Sequence, residues 1–114
     1  MEEDRVVGKH VFGELYGISD TQPDKLRELL LRAAEVAKMH VVDSMAYDRA
    51  TVYGAVVLVE ESHLAMHVFR GLSYALLDIF TCGDRSTPEE AYEYVVRELK
   101  PARYTRSYVD RSSA

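Results

Sequence analysis

Three strand-length apolar runs follow one another with almost nothing between them, and that spacing constrains the fold more than any other feature. Val52 to Glu60, Ser62 to Phe69 and Tyr74 to Thr81 are separated only by Glu61 and by Arg70-Gly71-Leu72-Ser73. Parallel neighbours need a crossover of about a dozen residues or more, whereas antiparallel neighbours close through a tight turn. The middle of this chain is therefore a set of hairpins. The nearly continuous apolar run of Val52 to Glu60 marks a central strand.

The flanking segments complete a two-layer pattern. Val11 to Tyr16 is rich in β-formers and closed by Gly17, which predicts a first strand, and the charged residues 1–8 before it are expected to fray. Ser19 to Pro23 is a turn-rich connector, and Pro23 or Asp24 opens a helix expected to run to about Met39. Leu26, Leu29, Leu30, Ala33, Val36, Ala37 and His40 recur at spacings of three and four and form its apolar face. Val41 to Tyr47 reads as a strand and Asp48 to Thr51 as a polar turn. Thr87-Pro88-Glu89-Glu90 has the form of a capping box, with Thr87 at the N-cap and Glu90 three residues on. That helix turns Ala91, Tyr94, Val95 and Leu99 inward and stops before Pro101, and Arg103 to Val109 is a last strand before a polar tail. The expected class is α+β, a two-layer sandwich with two helices on one face of an antiparallel sheet, in one domain over residues 1–114. The opposite sheet face has to meet something, and a second copy, giving a homodimer, fits it.

Composition narrows the function. With 114 residues, 47% hydrophobic and 29% charged, the chain reads as an ordinary globular domain. A net charge of −5 argues against nucleic acid and against acidic membranes, which both require clustered Lys and Arg. No apolar run approaches the ~20 residues that span a bilayer. The acidic start Met1-Glu2-Glu3-Asp4 is unlike a secretory leader, and the single cysteine asks for no oxidising compartment, so the expected location is cytoplasmic.

The reactive side chains gather at strand ends. Glu60-Glu61-Ser62-His63 and His67 follow the central strand, and Cys82 ends the run Asp78-Ile79-Phe80-Thr81-Cys82-Gly83. His63 and His67 would pair on a helix, but four strand residues span about 13 Å, so they cannot share an ion, and no metal is expected. Ser62 lacks the Gly-x-Ser-x-Gly elbow of a conventional serine hydrolase; taken alone, it reads as a hydroxyl capping a hairpin bend. Cys82 taken alone reads as a buried apolar residue, although Asp78, Thr81 and Gly83 make a polar strand end that could expose its thiol. His10 and His40, at a strand start and a helix end, suggest no role.

Together these motifs resemble the S-adenosylmethionine decarboxylase family in its short prokaryotic and archaeal form. The resemblance runs from Gly8-Lys9-His10 and Glu14-Leu15-Tyr16 through Val59-Glu60-Glu61-Ser62-His63 and Asp78-Ile79-Phe80-Thr81-Cys82-Gly83 to Lys100-Pro101. It implies a proenzyme that cuts its own backbone between Glu61 and Ser62, converting Ser62 to a pyruvoyl group. That group forms a Schiff base with the substrate amine and acts as electron sink for loss of carbon dioxide. By motif position, His67 handles protons during self-cleavage and Cys82 protonates the product carbon. Phe69 and Tyr47 are expected to contact the substrate, Phe69 as a stacking face. The family's two-layer fold, dimerising sheet to sheet, agrees with the architecture read from the residues.

Two departures bear on the substrate and on processing. Where the family carries Trp-Pro-Glu after the processing histidine, this chain has Phe69-Arg70-Gly71, and Gly71 supplies no carboxylate for ribose hydroxyls. Eight residues before Ser62 the family has a serine and this chain has Gly54, for which Tyr53 or Thr51 is the nearest hydroxyl in sequence. S-adenosylmethionine is the first expectation for the substrate, arginine with the same pyruvoyl chemistry the second, and an unprocessed binding or regulatory homologue a third.

Overall fold

The computed structural model describes residues 7–83 and 85–113, so residues 1–6 of the segment expected to fray lie outside it. The elements are β1 (Lys9–Tyr16), α1 (Pro23–Val36), β2 (Val41–Asp48), β3 (Val52–Val59), β4 (Ser62–Phe69), β5 (Tyr74–Thr81), α2 (Pro88–Leu99), β6 (Arg103–Tyr104) and β7 (Ser107–Asp110). The strands form one sheet in the order β2-β3-β4-β5-β1-β6, with β7 also on β1, and every pairing is antiparallel. Both helices pack on one face, as the sequence pattern requires. Among the described residues, no helix is long and apolar enough to cross a membrane.

Alternation along the strands divides the two faces. Tyr53, Ala55, Val57 and Val59 of β3, Leu64, Met66 and Val68 of β4, and Ala75, Leu77 and Ile79 of β5 are buried against Leu26, Leu30, Ala33, Ala34, Ala91 and Val95 of the helices. Burying each of the valine, leucine, isoleucine and methionine side chains contributes about 1.5–3 kcal/mol before chain entropy is counted. The other row of each strand, including His63, His67, Leu76 and Asp78, lies on the open face.

Four local expectations need correction. α1 ends at Val36, not Met39, in a Schellman motif: Met39 N–H donates to the Ala34 carbonyl (2.9 Å) and Lys38 N–H to Glu35 (3.1 Å). Lys38 sits at φ +63, where glycine is the usual residue, so the sequence shows no stop signal. The Thr87 hydroxyl does not cap α2; it is buried without a hydrogen-bond partner among the described residues. Thr87 instead donates its backbone N–H to the Ala37 carbonyl (3.1 Å), fastening the start of α2 to the end of α1. The last strand is two segments in one register on β1, interrupted because the Thr105 carbonyl accepts from the Tyr92 hydroxyl (2.6 Å) while its own hydroxyl accepts from Glu14 N–H (2.9 Å). Finally, order begins before Lys9, since the Gly8 carbonyl accepts from Arg111 N–H (2.8 Å) and Gly8 N–H donates to the Ser112 hydroxyl (3.0 Å).

Candidate active site

β3 and β4 are joined by only two residues, Glu60 and Glu61, because Val59 pairs with Ser62. Two-residue hairpin turns favour positive φ, which matches strand twist. Among the described residues, positive φ outside glycine occurs only at Lys38, Ser73 and Lys100, so neither glutamate adopts it. Contacts from outside the hairpin hold the turn instead. Glu60 N–H donates to the His40 carbonyl (2.8 Å), and the largely covered Glu61 carboxylate accepts from His40 N–H (3.0 Å) and meets His40 Nδ1 at 2.6 Å. Burial pushes the Glu61 carboxyl up, but the His40 hydrogen bonds outweigh it and its pKa is lowered. The same contact raises the His40 imidazole. His40 is thus no bystander at a helix end.

The third hold on the turn comes from β5. Cys82 N–H donates to the Glu61 carbonyl at 2.7 Å, directly across from Ser62, which pairs with Thr81. A peptide carbonyl with a fixed donor aimed at its oxygen is prepared for attack at carbon, since charge developing there is already met. Gly83 lets this approach happen: a Cβ there would lie 2.8 Å from Glu61 Cγ and 2.6 Å from Ser86 Oγ. Thr81, fully buried, donates to the Ser86 hydroxyl (2.9 Å) and accepts from Gly83 N–H (3.1 Å), fixing the loop that carries the donor. The Cys82 thiol is exposed, so the polar strand end prevails over the buried reading.

Ser62 opens β4, and its Oγ lies 3.3 Å from His63 Nδ1. The hydroxyl therefore faces a neighbouring imidazole, a contact that sequence reasoning left unassigned. His67 is five residues further along the same strand, about 16 Å at strand rise. Its Nδ1 contacts the Tyr47 hydroxyl. Phe69 is at the far end of β4, about 23 Å from Ser62, its ring tilted against Tyr74 with centroids 5.5 Å apart. The hydroxyls named in place of the residue at Gly54 do not serve: Tyr53 points to the helix side, where it accepts from Thr21 N–H (2.8 Å), and Thr51 is in the exposed turn.

His63 and His67 line a cavity of about 650 Å³ on the open face, together with Phe12, Glu14, Leu76 and Asp78. Asp78 meets His10 Nε2 at 2.6 Å, giving His10 a partner too. The Glu14 carboxylate accepts from Tyr74 and Tyr16, each at 2.8 Å, which hold its pKa below the usual carboxylate range and push Tyr74 up to about 12. Among the described residues, the one grouping of His, Cys, Asp or Glu close enough to share an ion is His40, Glu60 and Glu61, away from this cavity's lining.

A serine opens a strand here, and the carbonyl before it is held by the backbone N–H of an exposed cysteine. The profile of the S-adenosylmethionine decarboxylase family matches residues 9–112. The chain belongs to that family. It is 44% identical to the arginine decarboxylase proenzyme of Caldivirga maquilingensis over 119 aligned positions, covering 97% of this chain and 88% of that protein. It also superposes on the crystal structure of the adenosylmethionine decarboxylase from Aquifex aeolicus with a TM-score of 0.78 and 30% identity, covering 93% of this chain and 91% of the other. Members of the family are pyruvoyl-dependent decarboxylases whose pyruvoyl group forms from a serine by self-cleavage. Ser62 fits that group: its hydroxyl is next to an imidazole, and the carbonyl before it is held by Cys82 N–H.

Proposed function

We propose that the chain cuts itself between Glu61 and Ser62 and then decarboxylates arginine. The observation that carries the first half is the 2.7 Å bond from Cys82 N–H to the Glu61 carbonyl. Ser62 Oγ attacks that carbonyl carbon as His63 Nδ1 takes its proton, and the Cys82 N–H receives the charge growing on oxygen. As the Glu61–Ser62 C–N bond breaks, the Ser62 nitrogen takes the proton and the Glu61 acyl group is left as an ester on Oγ. Loss of the Ser62 α-proton expels Glu61 as a carboxylate, which ends the chain of residues 1–61, and leaves a dehydroalanine. Its imine form takes up water and releases ammonia, so the chain of residues 62–114 begins with the pyruvoyl group. That group supplies an electron sink for the pair left behind by carbon dioxide. The exposed Cys82 thiol then gives its proton to the substrate's α-carbon.

Both substrate candidates are cations, and the cavity lining presents the carboxylates of Glu14 and Asp78 with no lysine or arginine. Arginine is favoured over S-adenosylmethionine for two reasons. Gly71, in an open turn at φ +81, offers no carboxylate to a ribose, and the Caldivirga relative shares 44% of the residues. A guanidinium also matches a carboxylate in two parallel hydrogen bonds. S-adenosylmethionine is the second reading, supported by the family profile and by the Aquifex likeness.

The 16 Å between Ser62 and His67 supports a site shared by two protomers, with His67 of one serving Ser62 of the other. Phe69 and Tyr47, proposed as substrate contacts, are likewise more readily used across such an interface. The open face offers apolar area for it, with Met45 at 61% and Leu58 at 49% exposure. We therefore infer a homodimer joined through its open faces. Denaturing mass spectrometry and carbon dioxide release from labelled arginine, S-adenosylmethionine and ornithine test the function. Two chains and turnover of arginine, both lost in Ser62→Ala, are expected; a chain that stays intact would refute self-cleavage, and turnover of S-adenosylmethionine alone would refute the substrate.

A further inference from the structure

We propose that Tyr47 positions His67 and fixes its tautomer, a role that rests on the self-cleavage reading above. Three neighbouring strands carry the relation. Tyr47 of β2 pairs with Gly54 of β3, and Gly54 pairs with His67 of β4, so the three lie in one row on the open face. The middle member has no side chain, and the Tyr47 ring leans across the gap to bring its hydroxyl onto His67 Nδ1. A Cβ at position 54 would lie 2.8 Å from the Tyr47 hydroxyl oxygen and 2.9 Å from Cε1, and would also overlap the Met66 carbonyl. Gly54 is thus the opening through which Tyr47 reaches the imidazole. No other hydroxyl near that gap on β3 does so, because Tyr53 projects to the helix side.

The contact has a direction. Burial raises the Tyr47 phenol above its ordinary value, so it keeps its proton and donates it. Nδ1 is then an acceptor, and the ring proton resides on Nε2, the nitrogen left for the cavity that His67 lines. In this form His67 presents an N–H donor at Nε2 to the cavity. That complements His63, whose Nδ1 faces the Ser62 hydroxyl and is placed to accept a proton. Tyr47 touches neither the cut bond nor the serine and acts through the ring it holds.

The test uses the full chain. In the Ser62→Ala precursor, long-range proton–nitrogen correlations of His67 are expected to report the proton on Nε2, and adding Tyr47→Phe should convert this to a mixture of tautomers. With Ser62 intact, Tyr47→Phe should slow self-cleavage at least tenfold with an unchanged circular dichroism spectrum, since every ring atom is kept. Gly54→Ala, which displaces the ring, should give the same spectroscopic signature. An unchanged His67 tautomer in Tyr47→Phe, or cleavage at the unsubstituted rate, overturns the proposal. If the unsubstituted chain never cuts itself, the self-cleavage reading fails instead, and the nitrogen correlations still decide whether Tyr47 holds His67.

Discussion

Cys82 N–H and the Glu61 carbonyl oxygen meet at 2.7 Å, so one exposed cysteine combines a thiol with a backbone donor to the bond proposed for self-cleavage. These two functions separate cleanly by substitution. Cys82→Ala keeps the backbone donor and should still divide into two chains. Its decarboxylation should fall about 10²-fold or more, the usual worth of a positioned proton donor. Mass spectrometry and carbon dioxide release on the same sample check both halves.

Gly83→Ala should do the reverse. Its Cβ would press on Glu61 Cγ and Ser86 Oγ and push the turn away from the Cys82 donor. Self-cleavage is expected to slow by about 10²-fold, the scale for losing an oxyanion donor, and overpacking should cost about 1–3 kcal/mol in urea unfolding. A variant that cuts at full rate would show that the donor is dispensable.

His63→Ala removes the imidazole beside the Ser62 hydroxyl. Self-cleavage should fall by roughly 10²-fold or more without a change in thermal midpoint, because His63 faces the cavity and not the core. A time course of chain division measures it.

A shared site predicts complementation. Neither Ser62→Ala nor His67→Asn should divide alone. Co-expressed, the His67→Asn chain should be cut, since its Ser62 meets His67 of the other chain. Failure of that chain to divide in a demonstrated mixed dimer would remove the shared site.

The His40–Glu61 pair should leave a signature in stability against pH. His40 is raised in the fold, so its contribution is complete below about pH 6.5 and is lost as pH climbs through its raised value. Glu61 is lowered, so its contribution is present above about pH 4.5 and is lost as pH drops through its depressed value. In the Ser62→Ala precursor, the difference in thermal midpoint made by His40→Ala should therefore be largest between these limits and shrink on both sides. A difference that is flat with pH would mean that the pair is not ionic.

Most of the sheet was legible because hairpins are local: short breaks between apolar runs dictate both pairing and direction. Helix ends were less uniform: α2 starts at Pro88 and stops before Pro101 as the sequence indicates, although the Thr87 hydroxyl does not cap it. α1, by contrast, closes through a lysine in the left-handed region, Lys38, which carries no distinctive residue type. Within the site, Ser62 and Cys82 stand out by motif, and their juxtaposition follows from a single hairpin. What stayed hidden was the residue-by-residue register and the side-chain reach that it sets. That Tyr47 fills the gap at Gly54, or that His40 grips Glu61, depends on which residues face each other over 7 to 21 positions. A scan for nearby hydroxyls led to Tyr53 and Thr51, one on the wrong face and one in a turn.

The two-residue turn between β3 and β4 has a last consequence. Cut there, the protein becomes two polypeptides whose adjoining strands stay zipped over eight residue pairs from Val52–Phe69 to Val59–Ser62. Nothing in the ladder needs to move, so a cut at this turn would keep the pairing intact while removing the tether that made folding a one-chain event. Once unfolded, the halves would have to find each other by diffusion, and without the serine they could not repeat the step that parted them. The mature form should show a melting temperature that depends on its concentration, and its precursor's own folding, apart from dimerisation, should not.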